Sequence, residues 1–119
     1  MLEGAQTGLT MKIIVPITFS FSSLKLLAAQ GADPKTNWTN NCMQCHGLDG
    51  SANTSMGKAL SARDLTSAQI QSSFTDAQAA AAIKDGVIRD GITKMIAFDS
   101  KLSDDEIKAL VAYVRTLKK

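Results

Sequence analysis

Cys42-Met43-Gln44-Cys45-His46 holds both cysteines and the single histidine of the 119-residue chain. Cys-x-x-Cys-His is the attachment sequence of a c-type haem, and its spacing has a physical reason. Two cysteines three apart on a helical turn point the same way and can reach the two vinyl groups on one edge of a porphyrin. The next residue then swings its imidazole under the iron, for which neutral histidine is a good proximal ligand. Cys42 and Cys45 are therefore the expected attachment points, and His46 the expected iron ligand. Competing readings fit less well. A thioredoxin-like Cys-x-x-Cys needs a βαβ context that is missing. Structural zinc wants four ligands, and only three Cys and His residues are available. A disulfide between the two cysteines leaves His46 unexplained.

The chain has room for one domain. Its formal charge of +2 speaks against a nucleic-acid binder, which would show a basic stripe. Upstream of the motif, Met11-Lys12 opens an apolar stretch over residues 13–27 that ends in Ala28-Ala29-Gln30-Gly31-Ala32. A short positive start, an apolar middle and small residues make a secretory signal peptide. The stretch is too short for a membrane span of about 20 apolar residues, and Pro16 and Lys25 interrupt it. Residues 1–31 are read as the leader and 32–119 as the domain, with Met11 the expected true start and 1–10 a start-site artefact. Ala29-x-Gly31 marks the expected cleavage, a cut after Ala29 being the runner-up. The expected location is the periplasm or another exported compartment. Residues 32–119 carry 11 basic and 10 acidic side chains. So small a domain struggles to bury enough apolar surface alone, and an enclosed, covalently bound haem would supply what is missing.

Asp33-Pro34 reads as a helix start, with aspartate as cap and proline at the first helical position. Trp38 falls four residues before Cys42, on the same helical face. Gly47 is the expected stop, and residues 47–63, rich in Gly, Ser, Asn and Asp, read mostly as loop. Three later segments open with a capping signature: Thr66 with Gln69, Thr75 with Gln78, and Ser103 with Glu106. The alanine-rich run over 77–82 favours a helix and ends at Asp85-Gly86. Ile107, Leu110, Val111, Val114 and Leu117 form one apolar stripe. No stretch alternates with period two. The expected class is all-α, with four or five short helices.

A sixth iron ligand has to come from elsewhere in the chain, and with no second histidine the natural candidate is methionine. Met43 lies between the cysteines and cannot cross the ring. Met56 stands only 10 residues past His46, a short tether for wrapping it, whereas Met95 stands 49 residues past, between two expected helices. A methionine is more often core than ligand, and position alone leaves both readings of Met95 open.

Cys42-x-x-Cys45-His46-Gly47, Met95-Ile96-Ala97-Phe98, Leu102-Ser103-Asp104-Asp105-Glu106-Ile107 and Leu110-Val111-Ala112-Tyr113-Val114-Arg115 resemble the small bacterial class I monohaem cytochromes c. The likeness runs in order and spacing from Trp38 to Leu117. It implies the cytochrome c fold around one covalently attached haem c, with Met95 as the distal iron ligand. It also implies a crossing of the first and last helices, where Trp38 meets Leu110 and Tyr113. Two positions depart from the pattern. Pro34 stands where the family usually has glycine, and Ser55 replaces a proline whose backbone carbonyl holds the proximal imidazole N–H, a carbonyl that serine keeps with more backbone freedom.

Histidine and methionine on opposite faces leave no open coordination position, so the expected function is one-electron transfer, not enzymatic catalysis. The expected partners are transient redox proteins, either a membrane complex or a periplasmic oxidoreductase, met by a monomer with no membrane span and no nucleic acid. Lys58, Arg63 and Lys94 are candidates for steering a partner or neutralising haem propionates. Two other roles remain open. One is a haem-based small-gas binder or sensor with a labile Met95, and the other a subunit dedicated to one enzyme.

Overall fold

The computed structural model describes residues 16 and 31–119, so the expected leader lies outside the described residues apart from Pro16 and Gly31. Helix α1 (Pro34–Asn41) starts as its sequence dictates: the Asp33 carboxylate accepts the Lys35 N–H, and Pro34 fills the first helical position. The chain bends at Cys42 and continues as the single turn α2 (Met43–His46), which Gly47 ends with φ of 81°. That left-handed backbone suits glycine.

Helix α3 (Ser55–Leu60) lies within the stretch read as loop. Its start is Thr54, whose hydroxyl accepts the Gly57 N–H at 2.8 Å. So short a helix depends on its cap and its packing more than on propensity, which is why composition hid it. Helix α4 (Ala68–Ser72) is capped by Ser67, not by the expected Thr66. Thr66 instead gives both its N–H and its hydroxyl to Asp64, at 2.9 and 2.6 Å, in a local turn. Helices α5 (Asp76–Asp85) and α6 (Asp104–Thr116) open with complete capping boxes, Thr75 with Gln78 and Ser103 with Glu106.

A two-stranded antiparallel hairpin, β1 (Val87–Arg89) and β2 (Ile92–Met95), separates α5 from α6. Asp90 and Gly91 turn it with φ of 53° and 76°, the backbone that Asp-Gly hairpin turns require. The segment between the two expected helices is thus a hairpin and not a plain loop: Met95 is the last residue of β2, paired with Val87. Strands of three and four residues are too short to display alternation, and Asp90-Gly91 was the only local signal. Helices still dominate the fold, six segments among the described residues.

The core gathers where α1 crosses α6. Leu110 is fully buried, Trp38 is 2% exposed, and Ile107, Val111 and Val114 complete the stripe, with Leu65, Ile83, Phe98 and Leu102 around them. Two polar clamps tie the ends. Buried Gln71 gives its amide to the Leu65 and Val114 carbonyls at 2.7 and 2.8 Å. Arg115 returns bonds to Gln71 Oε1, the Phe74 carbonyl and Asp76.

The second clamp is Glu106. Asn37 Nδ2 at 2.9 Å and the Ala32 N–H at 3.2 Å both reach Oε2, while the Ser103 N–H reaches Oε1. The Asn37 bond first, then the Ser103 and Ala32 N–H groups, hold this carboxyl at about 2 against an ordinary 4.5. A depressed folded value stabilises the protein above the ordinary value, and the benefit is lost as pH falls toward 2. Glu106→Gln should therefore lower the thermal midpoint at neutral pH. The gap to the parent should shrink from pH 4.5 downward and close near 2, as followed by circular dichroism.

Candidate cofactor site

Between α1–α2 on one side and α5, the hairpin and α6 on the other lies a cavity of about 600 Å³. Cys42, Cys45 and His46 form one part of its wall, and Leu65, Phe74, Ile83, Phe98, Leu110 and Val114 make much of the rest apolar. The charged side chains lining it are Arg63, Arg89 and Lys94, with no carboxylate among them. Of the three cations read from sequence, Arg63 and Lys94 reach this wall and Lys58 does not. Arg89 was missed, because only the hairpin turns it toward the cavity.

The turn carrying the motif is held at three successive carbonyls, those of Cys45, His46 and Gly47. Thr54 Oγ1 donates to the Cys45 carbonyl at 2.7 Å and the Ala52 N–H to the His46 carbonyl at 2.7 Å. The Gly47 carbonyl accepts the Trp38 indole N–H at 3.0 Å. Gly57 comes so close behind the motif that an added Cβ would lie 2.3 Å from the Cys45 carbonyl oxygen. The fixed backbone places all three functional side chains on the cavity wall.

No disulfide joins Cys42 and Cys45. Burial, and then the neighbouring Cys45, pushes the Cys42 thiol up to about 11. Burial drives His46 below its ordinary value, and the Arg63 backbone works in the opposite direction. The resulting neutral imidazole is the form that ligates metal. Its Nδ1 is buried without a hydrogen-bond partner. The hold expected from the Ser55 carbonyl is therefore not made: Ser55 is the first residue of α3, and the backbone group acting on the ring is that of Arg63.

Met56 and Met95 both line the cavity. Met56 is 43% exposed and sits on α3, whose Gly57 abuts the Cys45 carbonyl, so it belongs to the motif's own side. Met95 is half-buried, packs against the core, and is carried by the hairpin. Gly86, with φ of 77°, allows the close approach: a Cβ there would lie 2.6 Å from the Met95 carbonyl oxygen. Two thiols, a neutral imidazole, a thioether, apolar walls and three unopposed cations match the chemistry of a haem with its two propionates.

The family model described as cytochrome c oxidase, cbb3-type, subunit III matches residues 29–114. The solved structure of the KustC0563 c-type cytochrome is similar at 34% identity and a TM-score of 0.64, covering 74% of this chain and all of that one. A mutant of the same protein is similar at 33% identity and a TM-score of 0.63, covering 73% of this chain and all of its own. No curated protein matches the chain.

Proposed function

The chain belongs to the c-type cytochrome family of the cbb3-type subunit III model, and we propose that its single covalent haem is anchored by Cys42 and Cys45 and ligated by His46 and Met95. A protein of this family carries electrons on haem c. The observation that supports the ligand set is one cavity lined by the motif, by Met95 and by three cations without a carboxylate. When bound, the haem supplies one-electron chemistry between Fe(II) and Fe(III). His46 would hold the iron as a neutral imidazole, and the soft Met95 sulfur would favour the reduced state. The apolar wall disfavours the extra charge of the oxidised state, while Arg63, Arg89 and Lys94 offset the propionates.

With His46 and Met95 both holding the iron, the protein would be a carrier without substrate chemistry there. It meets its redox partners through small, transient contacts in the periplasm, after removal of the leader. Mass spectrometry of the protein from a periplasmic extract should find a chain starting near residue 32, and a start at Met1 or Leu2 would sink the export reading. The ligand set is tested by the spectrum of the reduced protein with and without carbon monoxide at neutral pH. No complex is expected. Ready formation of one would favour a gas binder with a labile Met95.

A further inference from the structure

Most metal-bound histidines are oriented by a hydrogen bond to their second ring nitrogen. His46 makes no such bond from Nδ1, which is buried and unpartnered, so the plane of its ring rests on the Arg63 backbone that acts on it and on what packs against it. Trp38 is the group that packs there. It is 2% exposed, its ring centroid lies 5.8 Å from that of His46 with the planes tilted by 36°, and its N–H holds the carbonyl of the very next residue, Gly47. Behind it stands Tyr113, with ring centroids 5.6 Å apart, so the indole is itself held by α6. A phenylalanine or leucine would serve the helix crossing as filler, but neither has a donor for Gly47.

We propose that Trp38 is the positioning residue of the axial imidazole: its ring sets the plane of His46, and its N–H locks the turn from which His46 projects. The inference rests on the reading of His46 as iron ligand. Through the imidazole plane, Trp38 influences the electronic structure at iron and hence the reduction potential, beyond its share in the core.

The test compares Trp38→Leu and Trp38→Phe with Val111→Ala, a buried change on α6 that does not line the cavity. The readouts are the midpoint potential and the haem-methyl resonances of the oxidised holoprotein by NMR, whose order and spread report the orientation of the axial ligands. Val111→Ala should lower stability and leave both readouts unchanged. Trp38→Leu should alter the methyl pattern and displace the potential. Trp38→Phe, which keeps a ring but loses the Gly47 bond, should move both in the same direction by less. Trp38→Leu behaving like Val111→Ala, destabilised with an unchanged pattern, overturns the proposal. Where Trp38→Leu fails to retain haem, an unmoved pattern in Trp38→Phe overturns it. Absence of coordinated-imidazole signals from the parent protein refutes the His46 ligand reading first, and is distinguishable from both.

Discussion

Replacing Met95 with alanine should lower the midpoint potential by on the order of 0.1 V, within a range of about 0.8 V over which axial ligands set haem potentials. The same variant should bind carbon monoxide at neutral pH. A thioether stabilises Fe(II) through its soft sulfur, and its loss leaves water or nothing on that side. The backbone has no reason to follow. Met95 ends β2 and pairs with Val87, Gly86 keeps its close approach to the Met95 carbonyl, and alanine preserves both. The side chain is only half-buried, so the stability cost should stay near the lower end of core methionine truncations, about 2 kcal/mol. Met56→Ala, on the motif's side of the cavity, should leave potential and spectrum as they are. An unchanged potential and spectrum in Met95→Ala would falsify the assignment.

Gly57→Ala should be the most damaging single methyl in the protein. The new Cβ would lie 2.3 Å from the Cys45 carbonyl oxygen, 2.7 Å from that of Ala52 and 2.8 Å from Thr54 Oγ1. None of these is the free end of a flexible side chain. Helix α3 has to retreat from the motif. The retreat strains the bond from Thr54 Oγ1 to Cys45 and the cap from the Gly57 N–H to Thr54. Overpacking costs about 1–3 kcal/mol and a lost cap about 1 kcal/mol. A drop of about 2–4 kcal/mol is therefore expected in denaturant unfolding, together with a lower yield of haem-loaded protein. Gly91→Ala is the informative contrast. It meets nothing within 4 Å but has φ of 76°, so it should lose only the conformational cost of about 1–2 kcal/mol. Equal effects at the two sites would show that crowding behind Cys45 is not what Gly57 relieves.

What could be read in the chain follows how far apart the interacting groups stand. The caps at Asp33, Thr75 and Ser103 act on N–H groups two or three residues away, so their signatures predicted helices that are present. The α6 stripe is one helix's own periodicity: Ile107, Leu110, Val111 and Val114 are buried as read, while Leu117 caps the helix half-buried. The hairpin was missed because its pairing adds only three and four residues to a single Asp-Gly turn. Helix α3 was missed because its reason for existing is the surface behind Cys45. Ser67 displaced Thr66 as a cap once Asp64 captured the threonine, a competition between neighbours that a spacing pattern does not weigh.

The sequence by itself pointed to a haem c, and to the Cys42-x-x-Cys45-His46 motif as the place we propose for it. Cys42, Cys45 and His46 act within one turn, and that local chemistry is complete in five residues. Only the tertiary structure decided what surrounds it. It set Met95 and Arg89 on a hairpin facing the motif's cavity, and left Nδ1 of His46 without the expected Ser55 carbonyl. It also drew the Trp38 indole to Gly47, nine residues along the chain. The reason is geometric: covalent spacing fixes groups one turn apart, whereas a cavity wall exists only after distant segments have packed.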